Sequence, residues 1–133
     1  MRLFCFLVVM VIVFGVGFLL YPRIIDCRSL SLEEEAEINI KIYKNVVEDI
    51  KKDIGHYPES RYGLKMVYQN LSGDDNWRGL YLGRVVEPLD GWGNNLIYRY
   101  PAKCFHYEES YELYSTGENG VDECQSGDDV TFE

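Results

Sequence analysis

The chain has 133 residues, which suits a single domain and leaves no need for a second one. Its formal net charge is -9 at pH 7, so repulsion from phosphate groups excludes nucleic acid as an expected partner. His56 and His106 lie near no Ser or Cys nucleophile pattern, and no phosphate-binding glycine loop or zinc spacing occurs. We therefore expect neither catalysis nor a small-molecule substrate.

Residues 3–20 form an uncharged apolar run that is about the shortest able to cross the hydrocarbon layer as a helix. We predict a transmembrane anchor over residues 1–22, because a buried helix of a soluble protein would keep a polar face. A cleaved signal peptide is the stronger alternative, since Gly15 and Gly17 supply a pair of small residues. The apolar run continues past that pair, which favours an uncleaved anchor.

The arginines that flank the apolar run and the cysteines of the head indicate opposite orientations of the anchor. One arginine precedes the apolar run and two follow it closely, which by itself would keep the rest of the chain inside the cell. Cys104 and Cys124, however, bracket an aromatic and acidic segment and form an obvious pair for an oxidising compartment. The alternative is two unrelated reduced thiols.

Residues 31–54 carry the pattern of an amphipathic helix. Ser31 and Glu34 form a Ser-x-x-Glu capping box at its start, and Gly55 is placed to end it. Its apolar residues alternate in steps of four and three and draw one stripe along the helix. The stripe consists of Ala36, Ile40, Tyr43, Val47, Ile50 and Ile54.

The remainder of the chain predicts short elements separated by turns. Residues 60–71 suggest a second, short helix. Strand-like stretches follow at residues 80–85, 96–100 and 111–115, with Gly and Asp turns between them. These stretches predict an α+β head, in which a small antiparallel three-stranded sheet lies across the long helix.

Four segments of the head occur in a characteristic order. They read GHYP at residues 55–58 with GL at 63–64, NWRGLYL at 76–82, DGWGN at 90–94 and LYSTGENG at 113–120. They resemble the motifs GxYPxxxxGL, NWxGPYL, DPWGN and LYSxGxDG of the major pseudopilin of type II secretion, the G-type subunit of the type IV pilin superfamily. The resemblance implies a pilin-like fold with a long N-terminal helix and a C-terminal β-loop. Its structural positions here are Tyr57, Pro58, Gly63, Trp77, Gly79, Asp90, Trp92 and Gly93.

These motif residues also have a physical interpretation of their own. Proline fixes its own φ and biases Tyr57 to an extended conformation, which sets the exit from the long helix. Trp77 and Trp92 lie beside glycines and suit a thin core in which backbone passes close to an indole ring. An aromatic binding platform is the alternative.

Residues 116–131 concentrate carboxylate and amide oxygens in a glycine-punctuated loop, which is the composition that Ca²⁺ prefers. The resemblance implies a calcium loop, since the matching loop of the family binds this ion. Asn119 replaces the family's usual Asp, so lower affinity is expected unless other oxygens contribute; a solvated acidic tail without metal is the alternative. The implied ligands are the Thr116 carbonyl, Asn119, Asp128 and Asp129, with Asp122 and the carbonyl near Thr131 as further candidates.

The resemblance does not extend into the apolar run. Filament-forming members carry a short basic leader ending in Gly and a Glu five residues into the apolar helix. Here the only Gly-Phe step is Gly17-Phe18 and no carboxylate precedes Asp26. The expectation is that the prepilin motif is absent, which leaves processing and polymerisation open.

The combined expectation is a single-pass inner-membrane protein whose pseudopilin-like head, residues 23–133, lies in the periplasm. Its expected partners are other pseudopilins or inner-membrane secretion components, and its expected cofactor is Ca²⁺. The alternative is a self-standing exported module that binds calcium or another ligand and joins no filament.

Overall fold

The computed structural model describes residues 30–104 and 110–132. The predicted anchor at residues 1–22 lies outside the described residues, together with the whole apolar run. Within the two described ranges, no helix combines the length and the apolar character that crossing a membrane requires. The anchor therefore stays a prediction.

Helix α1 spans Leu32–Ile54 and begins with the predicted capping box. The Oγ of Ser31 accepts a hydrogen bond from the Glu34 backbone N–H, and the Glu34 carboxylate accepts one from the Ser31 backbone N–H. The helix ends at Gly55, which has a φ of 86° and donates its N–H to the Lys51 carbonyl. Glycine adopts this left-handed conformation without a Cβ clash, so the end of the helix is encoded locally.

One face of α1 is buried against the rest of the head. Every predicted position of the apolar stripe lies on it, and Val46 widens the stripe. Ile38 and Ile42 lie exposed on the same helix. The core cluster that includes the buried face comprises Ala36, Ile40, Tyr43, Val46, Val47, Ile50, Ile54, Leu64, Met66, Val67, Leu96, Tyr98 and Val130.

The second helix is shorter than residues 60–71 predict. It is a 3-10 helix over Gly63–Val67. Gly63 has a φ of 55°, a left-handed conformation that cannot continue a right-handed helix from the preceding turn. Tyr68 ends the element with a φ of -128°. Even so, the short helix delivers Leu64, Met66 and Val67 to the core.

Two short strands form the sheet. Strand β1 (Ile97–Arg99) pairs antiparallel with strand β2 (Glu112–Tyr114). In this register Tyr98 lies opposite Leu113, and Arg99 lies opposite Glu112. A long helix with a small antiparallel sheet confirms the α+β class.

The predicted strand at residues 80–85 is wrong. This segment makes turns, with the Gly83 N–H donating to the Leu80 carbonyl at 2.7 Å. Gly79 and Gly83 both have a positive φ, at 84° and 66°, so the chain reverses where a strand would have to stay extended. The segment stays attached to the core through the Tyr81 N–H, which donates to the Val67 carbonyl at 3.0 Å.

Candidate metal-binding loop

Residues 116–131, here called the acidic loop, are closed at their base by a single bridge. Ser115 and Val130 exchange two backbone hydrogen bonds of 3.0 Å each. Ser115 directly precedes Thr116, and Val130 directly follows Asp129. The bridge therefore brings together two predicted ligand positions that are far apart along the chain.

Asn119 and Asp128 meet inside the acidic loop, as a common ligand role requires. The Asn119 backbone N–H donates to Asp128 Oδ2 at 2.9 Å, and its side-chain amide donates to Asp128 Oδ1. The same amide donates to Glu123 Oε2 at 3.3 Å. The Asn119 N–H is the largest influence lowering the pKa of Asp128, so that carboxylate stays ionised in the neutral range.

Asp129 has one carboxylate oxygen that accepts hydrogen bonds and one that has no partner in the described part of the chain. Its Oδ2 accepts hydrogen bonds from the backbone N–H groups of Glu123 at 3.1 Å and Gln125 at 2.7 Å. Its Oδ1 is shielded from solvent and has no hydrogen-bond partner among the described residues. An unsatisfied buried carboxylate oxygen is costly, and a bound cation would satisfy it.

Two glycines permit the close approach of backbone and carboxylate in the acidic loop. Gly117 has a φ of 63°, and a Cβ there would collide with the Asp128 carbonyl. Gly127 has a φ of 62°, and a Cβ there would collide with Glu123 Oε2. Gly117 is therefore required for space as well as for conformation, whereas Gly127 is required for its conformation, since the exposed Glu123 side chain could move away.

Asp122 takes part in a different cluster, centred on Arg99. Arg99 forms an ion pair with Asp122 and lies 3.3 Å from Glu112 Oε2. The Tyr114 hydroxyl donates to Asp122 Oδ1 at 2.6 Å, and the Cys124 N–H donates to the same oxygen at 3.2 Å. The oxygens of Asp122 are thus engaged by the core, whereas its predicted role was that of an additional metal ligand.

This cluster shifts three pKa values. Burial opposes the charge of Arg99, but hydrogen bonds to Asp122, Tyr114 and Glu112 prevail and raise the pKa of the guanidinium above its usual value. The Tyr114 hydrogen bond, followed by Arg99, lowers the pKa of Asp122. Burial, followed by the bond to Asp122, raises the pKa of Tyr114 to about 12.

A disulfide joins Cys104 to Cys124, with 5.4 Å between their Cα atoms. The pairing predicted from sequence is therefore present in the structure, and the alternative of two reduced thiols is not. The two sulfur atoms and Asp122 lie close together, but the sulfurs are bonded to each other and are not metal ligands. The bond fastens the far side of the acidic loop to the segment that follows β1.

An acidic cleft of about 660 Å³ lies beside the acidic loop. Its walls come from the start of α1, from Trp92 and from the loop itself, including Thr131, a predicted ligand position. The contribution of α1 was not apparent from the sequence, because the helix dipole accounts for Glu33 and an exposed helix face accounts for Glu37. The carboxylates that line the cleft are Glu33, Glu37, Glu118, Asp128 and Asp129.

The first two motifs act as packing devices. The Tyr57 hydroxyl donates to Glu48 at 3.0 Å, and the Pro58 carbonyl accepts from the Tyr98 hydroxyl at 2.8 Å. The Trp77 indole N–H donates to the Met66 carbonyl at 2.9 Å. A Cβ on Gly79 would come within 3.1 Å of the Trp77 ring, so this glycine provides the space that the ring occupies.

The third motif forms a tight turn around a buried carboxylate. Asp90 is only 5% exposed, and its Oδ1 accepts from the backbone N–H groups of Trp92 at 3.0 Å and Asn94 at 2.7 Å. Gly93 has a φ of 87°. A Cβ on Gly91 would collide with the Leu32 carbonyl, so the turn lies directly against the start of α1.

The long capped helix, the small antiparallel sheet and the bridged C-terminal loop together define a pilin-like protein. A crystal structure of the major pseudopilin from the type 2 secretion system of enterohaemorrhagic Escherichia coli is similar, with a TM-score of 0.56. The match covers 74% of this chain and 83% of that one at 18% sequence identity, and the structural similarity supports a common fold.

The family model of type II secretion system protein G matches residues 23–132, and this chain belongs to that family. Type II secretion system core protein G of Escherichia coli strain K12 is 28% identical to it over 130 residues. That match covers 94% of this chain and 83% of the relative.

Proposed function

We propose that this chain is a structural subunit of type II secretion, anchored in the inner membrane by residues 1–22 and exposing a head that contacts other pseudopilins or inner-membrane secretion components. The observation that carries the proposal is the match of the protein G family over residues 23–132, which is nearly the whole head. The resemblance of four ordered sequence motifs supports the same assignment.

The use that the fold makes of its polar and aromatic residues supports a structural role over a catalytic one. Trp77 and Asp90 are engaged in hydrogen bonds that hold turns against the core. The hydroxyl groups of Tyr57 and Tyr98 also donate hydrogen bonds within the head. These residues are committed to packing, and binding by such a subunit takes place through its surface.

The disulfide supports a periplasmic position of the head. Bonds of this kind persist in oxidising compartments and are rare in the cytosol. Cys104 and Cys124 are close enough to bond in the folded head. The disulfide outweighs the arginine distribution around the apolar run, which indicates the opposite orientation.

We further propose that the acidic loop binds Ca²⁺ and is stabilised by it. The observations that favour a cation are the shielded Oδ1 of Asp129, which has no hydrogen-bond partner among the described residues, and the carboxylate-lined cleft beside it. The carbonyls of Thr116 and Thr131 and the amide oxygen of Asn119 would complete an all-oxygen set, which suits this ion. The ion would neutralise the loop carboxylates and hold the two ends of the loop together.

Asn119 is the residue that limits this fit. Its amide nitrogen donates to Asp128 and Glu123, and its Oδ1 accepts from the Val121 N–H at 2.5 Å. The amide must therefore turn before its oxygen can face a cation held by Asp128. We expect weaker binding than an aspartate at this position would give, because one negative charge is missing.

Melting of the full-length chain in detergent tests the calcium proposal. Ca²⁺ at one hundred times its Kd should stabilise the chain by about 2.7 kcal/mol relative to chelator, and Mg²⁺ should stabilise it much less. Asp129→Asn should weaken the response, whereas Asp75→Asn, which removes an exposed carboxylate elsewhere, should leave it intact. Melting that is insensitive to Ca²⁺ and chelator in both oxidised and reduced chains would exclude the metal site.

Crosslinking in living cells tests the assembly proposal. A photoreactive residue in place of the exposed Ile42 should form adducts with other secretion components, whereas one in place of the buried Met66 should form none. Adducts at Ile42 and at further exposed positions support a secretion subunit. Their absence at every exposed position would instead favour the self-standing exported module.

A further inference from the structure

The buried carboxylate of Asp90 reaches the acidic loop through a chain of hydrogen bonds. Its Oδ1 holds the turn that follows it, and its Oδ2 accepts a hydrogen bond from the Ser115 Oγ at 2.6 Å. Ser115 is fully buried, and its Oγ in turn accepts from the Gly117 N–H at 3.0 Å. A residue in the DGWGN segment thus fixes the first turn of a loop that begins some 25 residues later.

Asn94 makes a second connection between the same two segments. Its backbone N–H donates to Asp90, and its side-chain Nδ2 donates to the Gly117 carbonyl at 2.9 Å. A Cβ on Gly120 would lie 3.3 Å from the Asn94 Oδ1, so the end of this turn also packs closely on Asn94. Both polar groups of the Gly117 backbone are therefore held by the core.

Ser115, Gly117 and Val130 are neighbours of predicted ligands along the chain and are not ligands themselves. Ser115 precedes Thr116 and Gly117 follows it, so the two bonds set the direction in which the Thr116 carbonyl points. Ser115 also pairs with Val130, which follows Asp129. The network therefore constrains the ligand positions at both ends of the acidic loop.

We propose that Asp90, Asn94 and Ser115 are positioning residues of the cation site, which they prearrange through Gly117 and Val130 without touching the ion. This inference rests on the proposed calcium function. Residues that orient ligands from behind commonly change metal affinity by about 10- to 100-fold when they are replaced. The network also holds the DGWGN turn against the acidic loop, although the two segments are far apart in the sequence.

Three variants of the full-length chain, compared in detergent, test the role. Ser115→Ala removes the hydroxyl that links Asp90 to Gly117, and Asn94→Ala, the milder change at a half-buried position, removes only the second connection. Val67→Ala is the matched control, because it opens a cavity in the core and touches none of these bonds. Ca²⁺ affinity is measured by calorimetry below the melting temperature of each chain. Tb³⁺ luminescence excited through Trp92, which lines the cleft beside the loop, gives a second readout.

We expect a loss of about 10-fold or more in Ca²⁺ affinity for Ser115→Ala and Asn94→Ala, and an unchanged affinity for Val67→Ala even where its melting temperature falls as far. Native affinity in folded Asn94→Ala and Ser115→Ala chains would overturn the positioning role while leaving the calcium proposal standing. A native chain that binds neither Ca²⁺ nor Tb³⁺ would overturn both.

Discussion

Helix α1 and the acidic loop belong to one head but are held in place by different forces. α1 buries a continuous face of aliphatic and aromatic side chains, whose removal from water is the main source of stability. The acidic loop buries few apolar side chains and is held by carboxylates that accept backbone hydrogen bonds, by the Arg99 cluster and by a disulfide. The stability of the helix should therefore respond to changes in side-chain volume, and that of the loop to charge, redox state and metal.

The largest expected effect is a cavity beneath α1. Ile50→Ala removes a side chain that is 0% exposed, and we expect a loss of about 2 to 5 kcal/mol in the free energy of unfolding because the surrounding core cannot collapse fully. Ile42→Ala is the matched control on the same helix, since Ile42 is 40% exposed, and should change stability by no more than about 0.5 kcal/mol. Chemical denaturation of the full-length chains measures both, and equal losses would contradict the assigned burial of α1.

Loss of the disulfide should have the next largest effect. Replacing both Cys104 and Cys124 by Ser should cost about 3 kcal/mol, because the unfolded chain regains the entropy of an open loop. Denaturation with and without a reducing agent measures this cost. The native chain should lose stability on reduction, and the double variant should not. An equal loss in both chains would show that the reducing agent acts on stability by a route other than this disulfide.

The effect of Asn119→Asp on stability should depend on whether Ca²⁺ is present. Without Ca²⁺ the new carboxylate loses the amide bonds to Asp128 and Glu123 and repels both, which should cost on the order of 1 to 2 kcal/mol. With saturating Ca²⁺ the added charge should strengthen binding and recover this loss. Asn45→Asp adds the same charge to the exposed side of α1 and is the control. Melting in chelator and in Ca²⁺ decides the case, and a metal-independent effect would count against a cation beside Asn119.

The smallest expected effect is the part of the pH dependence of stability that comes from the Arg99 cluster. Because the pKa of Asp122 is lowered on folding, its contribution is present above the unfolded pKa of about 4 and is lost as the pH falls further. Because the pKa of Tyr114 is raised to about 12, its contribution is present below pH 10 and is lost as the pH rises towards 12.

Denaturation at a series of pH values separates the two groups of that cluster. Asp122→Asn should reduce the slope on the acid side of the stability profile, and Tyr114→Phe should reduce it on the alkaline side. Some slope should remain, because Asp128 and other tyrosines also have shifted pKa values. Glu59→Gln serves as an exposed control, because Glu59 pairs only with the exposed Arg61 in the ion pairs of the described head. Unchanged profiles in both cluster variants would show that the Arg99 cluster does not couple folding to pH.

The parts of the fold that were predictable are those encoded by neighbouring residues. The capping box at Ser31 and Glu34, the stop at Gly55 and the buried stripe of α1 depend on spacings of three to five residues. The segment at 80–85 was misread as a strand because its apolar and aromatic residues suit an extended chain. Two glycines with positive φ and a contact to Val67 turn it instead.

The candidate site was predictable in composition but not in arrangement. The sequence indicated an acidic loop, and its resemblance to the pseudopilin family implied a common ligand role for Asn119 and Asp128, which lie together in the structure. Asp122 was a further candidate ligand, whereas Arg99 and Tyr114 engage its oxygens in the structure. The available signal was Arg99, a single arginine inside an aromatic strand of an acidic head. The sequence alone does not show which carboxylate lies beside that strand.

Local sequence thus determined the long helix and its ends, the pair of cysteines and the concentration of loop carboxylates, because each depends on residue type and short spacing. The tertiary structure decided which carboxylates meet Arg99, which oxygen of Asp129 is left free, and that Asp90 supports a loop some 25 residues away. The physical reason is that these outcomes require the chain to return on itself through the Ser115 and Val130 bridge and the two-stranded sheet. Closing such loops is driven by burial of the whole core, so no short segment of sequence specifies it.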